Sequence, residues 1–227
     1  MIINAFLPCR SSSVRIKNKN IKPFCELKFG MLELKISQLI LVKGIKNIIV
    51  STNDNIIINY LNKKKYKKEI LDIRNNNLCR SSTSTDELIK YVPTAIKKGH
   101  ILWTHATSPF FDNKQYDLAI KLYKKNLKKN DSLMGVTKVQ DFIYNKTKPI
   151  NFNRKKEKWP RTQTLKELFL VNNSIFLSSR ENYYKYNDRI GKKPFYMVGG
   201  KINSFDIDWP EDFTIAENIY RSFYKKT

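Results

Sequence analysis

A chain of 227 residues, 41% of them hydrophobic and 13 of them Phe, carries enough apolar material for one packed domain, which excludes a disordered or fibrous protein. Its 43 Lys+Arg against 20 Asp+Glu leave a net charge of +23, so nucleic acid, anionic membranes and phosphorylated substrates are the partners to weigh. The cations are scattered rather than massed in one block and read mostly as a solvated surface. Cys9, Cys25 and Cys79 show neither CxxC pairing nor zinc-ligand spacing, which suits reduced thiols. No apolar stretch approaches a membrane span, and the opening apolar run is too short for a secretory leader, so a cytoplasmic protein is expected.

In chain order, "INAFLP" is expected to be a strand. It delivers Ser11, Ser12 and Ser13 together with Arg10, Arg15, Lys17, Lys19 and Lys22 into a loop. Small residues after a strand let backbone approach an anion, while Arg10 offers a bidentate phosphate contact and Lys19 a point charge. A merely solvated basic loop is the competing reading. Leu32, Ile36, Leu39 and Ile40 recur at helical spacing, "NIIVST" is a second strand, and Asp54 opens the helix of "DNIIINYLNKK". "EILDIR" is a third strand ending on Arg74. "STSTDELIKYVPTAIKKG" is a helix with hydroxyl caps, a kink at Pro93 and a stop at Gly99; Thr85 there serves either as a cap or as a ligand contact.

"HILWTHATSPFF" is a strand running into a loop that exposes His105, Thr107 and Ser108, and Tyr116, Ala119, Ile120 and Tyr123 mark the next helix. "DSLMGVTKV" is another strand. From about Gln140 to Glu167 the pattern breaks into an Asn-, Lys- and Tyr-rich stretch, read as an extended excursion or small β lobe inserted in a single domain spanning 1–227. Regularity returns with "LFLVNNSIFLSS", "PFYMVGG" and "KINSFDID", and the final helix is "PEDFTIAENIYRSF".

Strands alternating with helices imply an α/β fold: a Rossmann-like, mostly parallel sheet flanked by helices, with ligands at the carboxyl ends of the strands. Asp206 and Asp208, two apart on an expected strand, would present both carboxylates on one face. Such a pair repels unless a cation bridges it, and Mg²⁺ is commonly held by one or two carboxylates plus substrate phosphates. Capping of the last helix competes for Asp208, because Pro210 is a natural first helical residue.

In this order the pieces resemble the acylneuraminate cytidylyltransferase family, the CMP-sialic acid synthetases and their relatives, over nearly the whole chain. "PCRSSSVRIKNKNIKPF" is similar to the family's opening loop, P-A-R-G-G-S-K-R-I-P-x-K-N, and "WTHATSPF" to its L-Q-P-T-S-P segment. "WPRTQTL" resembles its R-x-Q-D-L stretch, "VNNSIFL" its E-N-G-A-I-Y strand, and "SFDIDWPEDFTIAE" its D-I-D-T-P-E-D-L-x-x-A-E ending. The related enzymes for KDO typically carry P-G-K-P and G-D-E-P segments, where this chain has "KNKNIKPF" and "HATSPFF". The resemblance therefore favours the acylneuraminate branch.

It implies a nucleotide-diphospho-sugar transferase type of fold with a small β-rich dimerisation lobe at 140–167, hence a homodimer. The implied reaction moves CMP from CTP to a nine-carbon, nonulosonic sugar acid and releases pyrophosphate. Arg10 and Lys19 would hold the triphosphate, with Ser11, Ser12, Ser13 and Asn20 around it. Arg74 and Thr85 would lie by the base and ribose. His105, Thr107, Ser108, Arg161, Gln163, Asn172 and Phe176 would form the sugar pocket, and Asp206 and Asp208 would bind Mg²⁺. Some positions depart from the family pattern: Ser11 and Ser12 replace two glycines, Val14 replaces a lysine and His105 a glutamine. A relative that binds nucleotide without turning it over is thus a second expectation, against which the aspartate pair speaks. A basic nucleic-acid-binding protein is a third and weaker reading of the charge; no nucleic-acid-binding motif occurs, so no nucleic-acid partner is expected, while the excess charge suits weak association with an anionic membrane.

Overall fold

A computed structural model describes residues 1–11 and 13–223. Among these, a seven-stranded sheet has the order β3-β2-β1-β4-β6-β5-β7. The strands are β1 (Ile3–Pro8), β2 (Asn47–Thr52), β3 (Glu69–Ile73), β4 (His100–Trp103), β5 (Ser132–Val139), β6 (Leu168–Ser179) and β7 (Pro194–Gly199). Only β6 runs against its neighbours β4 and β5; every other pairing is parallel. The helices are α1 (Gly30–Leu41), α2 (Asn55–Lys64), α3 (Thr85–Ala95), α4 (Asn113–Asn126), α5 (Arg180–Tyr186) and α6 (Pro210–Phe223).

The period of two along β1 sets the layers. Ile3, Ala5 and Leu7 enter one core with residues of α1, α2, α4 and α6, whereas Phe6 enters a second core with Ile89 and Val92 of α3 and Tyr183 of α5. The buried face of α4 is Tyr116, Ala119, Ile120 and Tyr123, as its periodicity predicts. Asp54 caps α2 by accepting from the Ile56 N–H at 2.8 Å. On α3 the capping box is made by Ser84 and Glu87, which leaves Thr85 as the first helical residue rather than the cap. That helix ends at Ala95, two residues beyond Pro93 and short of Gly99.

Chain order runs from β1 outward to β3, then crosses back so that β4 lies on the other side of β1. Since α1 and α2 cover one face and α3 the other, the loops after β1 and β4 diverge and leave a crevice at their carboxyl ends.

Two expectations are corrected. The FDID segment is not a strand: residues 205–208 pair with no neighbour in the sheet. Ile207 is nonetheless fully buried and donates its N–H to the Thr107 carbonyl at 2.9 Å, so the chain is extended and the aspartates still flank a core residue. Residues 140–167 carry one isolated bridge, Tyr144 with Pro149, and a single 3₁₀ turn, Thr162–Thr164, in place of a β-rich lobe. The ladder flanking the excursion belongs to β5 and β6, paired out to Val139 and Leu168. Gly135 lies in the bulge of that ladder, where a Cβ would come within 2.4 Å of Asn172 Oδ1. Among the described residues no helix is long and apolar enough to cross a membrane.

Candidate active site

The crevice is a cleft of about 580 Å³ bounded by the opening loop, the segment from Arg74 to Leu88, the end of β4, and the turn leading into α6. The opening loop is anchored by apolar residues among its cations, Ile16 and Phe24 both being buried. It turns at Asn18, whose φ of 54° is left-handed, a conformation that Asn tolerates better than most residues. Ser11 is not in that region, so its replacement of glycine carries no backbone strain. Gly30 does need its freedom: with φ +53° and the Lys22 carbonyl 2.0 Å from where a Cβ would stand, it lets the loop close against α1.

Arg10, Ser13, Val14, Arg15, Lys19 and Asn20 line the cleft. Arg10 Nη1 donates to the Arg80 carbonyl at 2.8 Å, tying the loop to the segment before α3. Lys19 Nζ donates to the Ile207 carbonyl at 2.9 Å and to Asp208 Oδ1 at 3.3 Å. Arg15 reaches the same carboxylate oxygen at 3.2 Å and stacks over Trp209. Opposite them, Arg74 is 3% exposed, gives its Nε–H to Cys79 Sγ and leaves Nη1 buried without a partner. A buried, unsatisfied guanidinium edge beside a cleft is a receptor for oxygen atoms, since leaving it unpaired is costly. Thr85 also borders the cleft.

Around the end of β4 and the adjoining β6, Trp103, His105, Thr107, Asn173 and Arg189 line the cleft. Trp103 Nε1 donates to His105 Nε2 at 2.6 Å, which assigns the imidazole proton to Nδ1. Desolvation first, then the Arg189 and Lys19 cations, push the His105 pKa down to about 3, so the ring is neutral throughout the physiological range.

Asp206 and Asp208 both border the cleft. Asp206 Oδ2 accepts from Asn173 Nδ2 at 2.9 Å, while its Oδ1 is buried without a hydrogen-bond partner. Helix capping does not account for Asp208: the N–H groups of Asp208 and Trp209 are taken by Asp212, and the Asp208 side chain faces the opening loop. Two carboxylates, one with a buried idle oxygen, fit a divalent cation that draws its remaining ligands from phosphates and water. Among the described residues no group of three or more His, Cys, Asp or Glu gathers to hold a metal by itself.

Other expected site residues stand apart from the cleft lining. Ser11 gives its N–H to Asn53, and Ser108 is buried with its carbonyl held by Lys35. Arg161 and Gln163 are exposed on the 3₁₀ turn of the excursion, Phe176 is buried beneath Arg189, and Ser12 lies outside the described residues. Asn172 bonds Thr137 and Ser204 instead; strand alternation gives the cleft to its neighbour Asn173. Sequence reasoning missed Asn173, Trp103 and Arg189. The doubled Asn in "VNNS" was the one available signal.

A mostly parallel sheet with a cationic loop after its first strand, a topological switch and an aspartate pair facing that loop define a nucleotide-handling transferase. The cytidylyltransferase family model matches residues 4–226, and the chain belongs to that family of nucleotidyltransferases. A search of curated protein sequences finds no match. Among solved structures, CMP:2-keto-3-deoxy-manno-octonic acid synthetase complexed with CTP superposes with a TM-score of 0.66 at 12% identity, covering 98% of this chain and 99% of that one. The 4-diphosphocytidyl-2C-methyl-D-erythritol synthase of Anaerococcus prevotii gives 0.63 at 18% identity, covering 97% and 96%. HddC of Yersinia pseudotuberculosis gives 0.59 at 14% identity, covering 97% and 100%. At such identities the likeness is one of fold.

Proposed function

We propose that the protein transfers a cytidylyl group from CTP to the anomeric hydroxyl of a nonulosonic acid of the sialic-acid class, with release of pyrophosphate. The observation that carries this reading is the Asp206–Asp208 pair, one oxygen buried and idle, set against the cations of the opening loop in one cleft. The acceptor oxygen forms a bond to the α-phosphorus as the bond to the pyrophosphate breaks, and the hydroxyl proton is released. Positioning and charge neutralisation supply most of such a catalyst. Arg10 and Lys19 neutralise the departing pyrophosphate. Arg74 and Thr85 receive oxygens of the nucleoside. His105 Nδ1–H, Thr107 and Asn173 orient the acceptor. Asp206 and Asp208 would hold Mg²⁺, which when bound supplies Lewis acidity toward phosphate oxygens.

A homodimer is part of this reading. Phe142, Phe152 and Trp159 form an edge-packed cluster on the excursion, and Leu170, Val171, Tyr196 and Val198 are exposed on the adjoining strands. Apolar surface of that extent is commonly covered by a partner, and light scattering of the purified chain tests it. A cytoplasmic setting and weak, salt-sensitive adhesion to anionic vesicles complete the proposal; adhesion that ignores salt would remove the electrostatic account.

The deciding experiment is pyrophosphate release with CTP, Mg²⁺ and a panel of sialic, legionaminic, pseudaminic and KDO acids. Release with one acid, abolished by EDTA, establishes the reaction. CTP binding without release from any acid supports a relative that binds nucleotide without catalysis.

A further inference from the structure

Arg189 lies between α5 and β7, just after a left-handed turn at Asn187 with φ 49°. Its guanidinium carbon is 3.6 Å from the centroid of Phe176 and 5.3 Å from that of Trp103, so the planar group rests on an aromatic floor. No carboxylate among the described residues forms an ion pair with it. Burial lowers its pKa, and Asp188 and Tyr183 oppose that shift more weakly. The family resemblance assigned this residue nothing.

A cation that is partly desolvated, with the Asp188 charge near it but no ion pair, regains the lost solvation when an anion arrives. With one face against Phe176, the guanidinium can use its in-plane N–H edge, the geometry that matches a carboxylate bidentately. The charge present also selects the anion. His105 beside it is neutral, the nearby Lys19 is paired with Asp208, and the Asn173 amide is held by Asp206, so Arg189 is the cation here that has no ion pair among the described residues. A phosphate monoester brings a charge of about −2; a carboxylate brings one.

We infer that Arg189 binds the carboxylate of the acceptor sugar as a bidentate pair, with the His105 Nδ1–H as a neutral donor alongside. Arg189 is thus a specificity-determining residue that selects sugar acids over neutral or phosphorylated acceptors. This rests on the acceptor being a sugar acid, as proposed above.

The test compares wild type, Arg189→Gln and Arg189→Lys on the accepted sugar acid and on its carboxamide analogue, with CTP affinity measured in parallel. Wild type should prefer the acid over the amide by about 100-fold in kcat/KM, as expected for a site built around one charged contact. Arg189→Gln should shrink that preference to about threefold, chiefly through acceptor KM, with the Kd for CTP within twofold of wild type. Arg189→Lys should fall between, because an ammonium keeps the charge and loses the fork. An Arg189→Gln enzyme that binds CTP normally and keeps the full acid-over-amide preference overturns the assignment alone. A wild type that uses only neutral or phosphorylated acceptors overturns the sugar-acid reading and this inference with it.

Discussion

At the end of the cleft proposed to take the nucleotide, the cations stand on a long loop and hold exchangeable partners: Arg10 a backbone carbonyl, Lys19 and the half-exposed Arg15 a shared Asp208 oxygen. At the end proposed to take the acceptor, the polar groups are fixed by rings, His105 by Trp103 and Arg189 by Phe176. The Arg15–Asp208 pair is half-exposed, and such pairs contribute only about 0–1 kcal/mol, so Arg15 can regroup around a triphosphate at little cost, while Lys19 is more buried. The second set is desolvated and keeps its shape, which suits discrimination among acceptors. Substitutions at the two ends should therefore fail differently.

The largest effect is expected from Asp208→Asn, which halves the carboxylate pair and frees Arg15 and Lys19 from their shared partner. Turnover should drop by about 10³-fold, the range for losing a charge-stabilising group in a transition state, while CTP binding stays within tenfold. Full activity in this variant, measured by pyrophosphate release, would remove Asp208 from the chemistry. Arg10→Ala comes next, with the KM for CTP raised by about 10- to 30-fold at low salt and the gap narrowing as salt rises. A salt-independent loss would mean that Arg10 holds the loop rather than phosphate.

Lys35→Met tests what supports the acceptor end. Lys35 is fully buried on α1 and donates to the Ser108 and Phe111 carbonyls at 2.8 Å, pinning the loop after β4 that carries His105 and Thr107. Lys35 Nζ also donates to Tyr116 Oη at 3.1 Å. The variant should lose about 2–3 kcal/mol by denaturant unfolding, because two buried carbonyls lose their donor. Burial lowers the Lys35 pKa from 10.5 to about 7. Between those values the unfolded chain binds a proton that the folded chain does not, so stability from this group rises with pH there. The margin of wild type over Lys35→Met should grow from pH 7 toward pH 10; a constant margin would show that the folded lysine keeps its ordinary pKa.

His105→Gln should change kcat/KM by less than about tenfold, since an amide replaces one neutral donor with another. With its pKa at about 3, His105 should leave no step in the rate between pH 5 and 8. A step near pH 6.5 that disappears in the glutamine variant would mean the ring titrates in the working enzyme. The smallest change is expected from Val14→Lys, at a position 80% exposed beside the cleft, which should lower the KM for CTP by about threefold at low salt.

Much of the sheet was legible because its residues obey a local rhythm. "NIIVST" and "LFLVNNSIFLSS" coincide with β2 and β6, and "PEDFTIAENIYRSF" with α6, since alternation, helical period and a leading Pro are written into neighbouring residues. FDID misled because an extended segment that buries every second residue has the pattern of a strand without a ladder partner. Lys35 gave no signal at all: a lysine on an amphipathic helix reads as solvent-facing until the loop after β4 is packed over it. Asn172 and Asn173 are equivalent in composition, and the strand's pleat chose between them.

By itself the sequence determined the α/β class, the order of most elements, the cationic loop and the aspartate pair, because these depend on the spacing of residue types along a short stretch. Only the tertiary structure decided that Arg74 is buried with an idle N–H, that His105 is neutral, and that Arg189 lies on Phe176 facing the same cleft. Those properties depend on burial and on distant contacts such as those of Arg189 with Trp103 and His105, and proximity of that kind exists only once the sheet has brought its strands together.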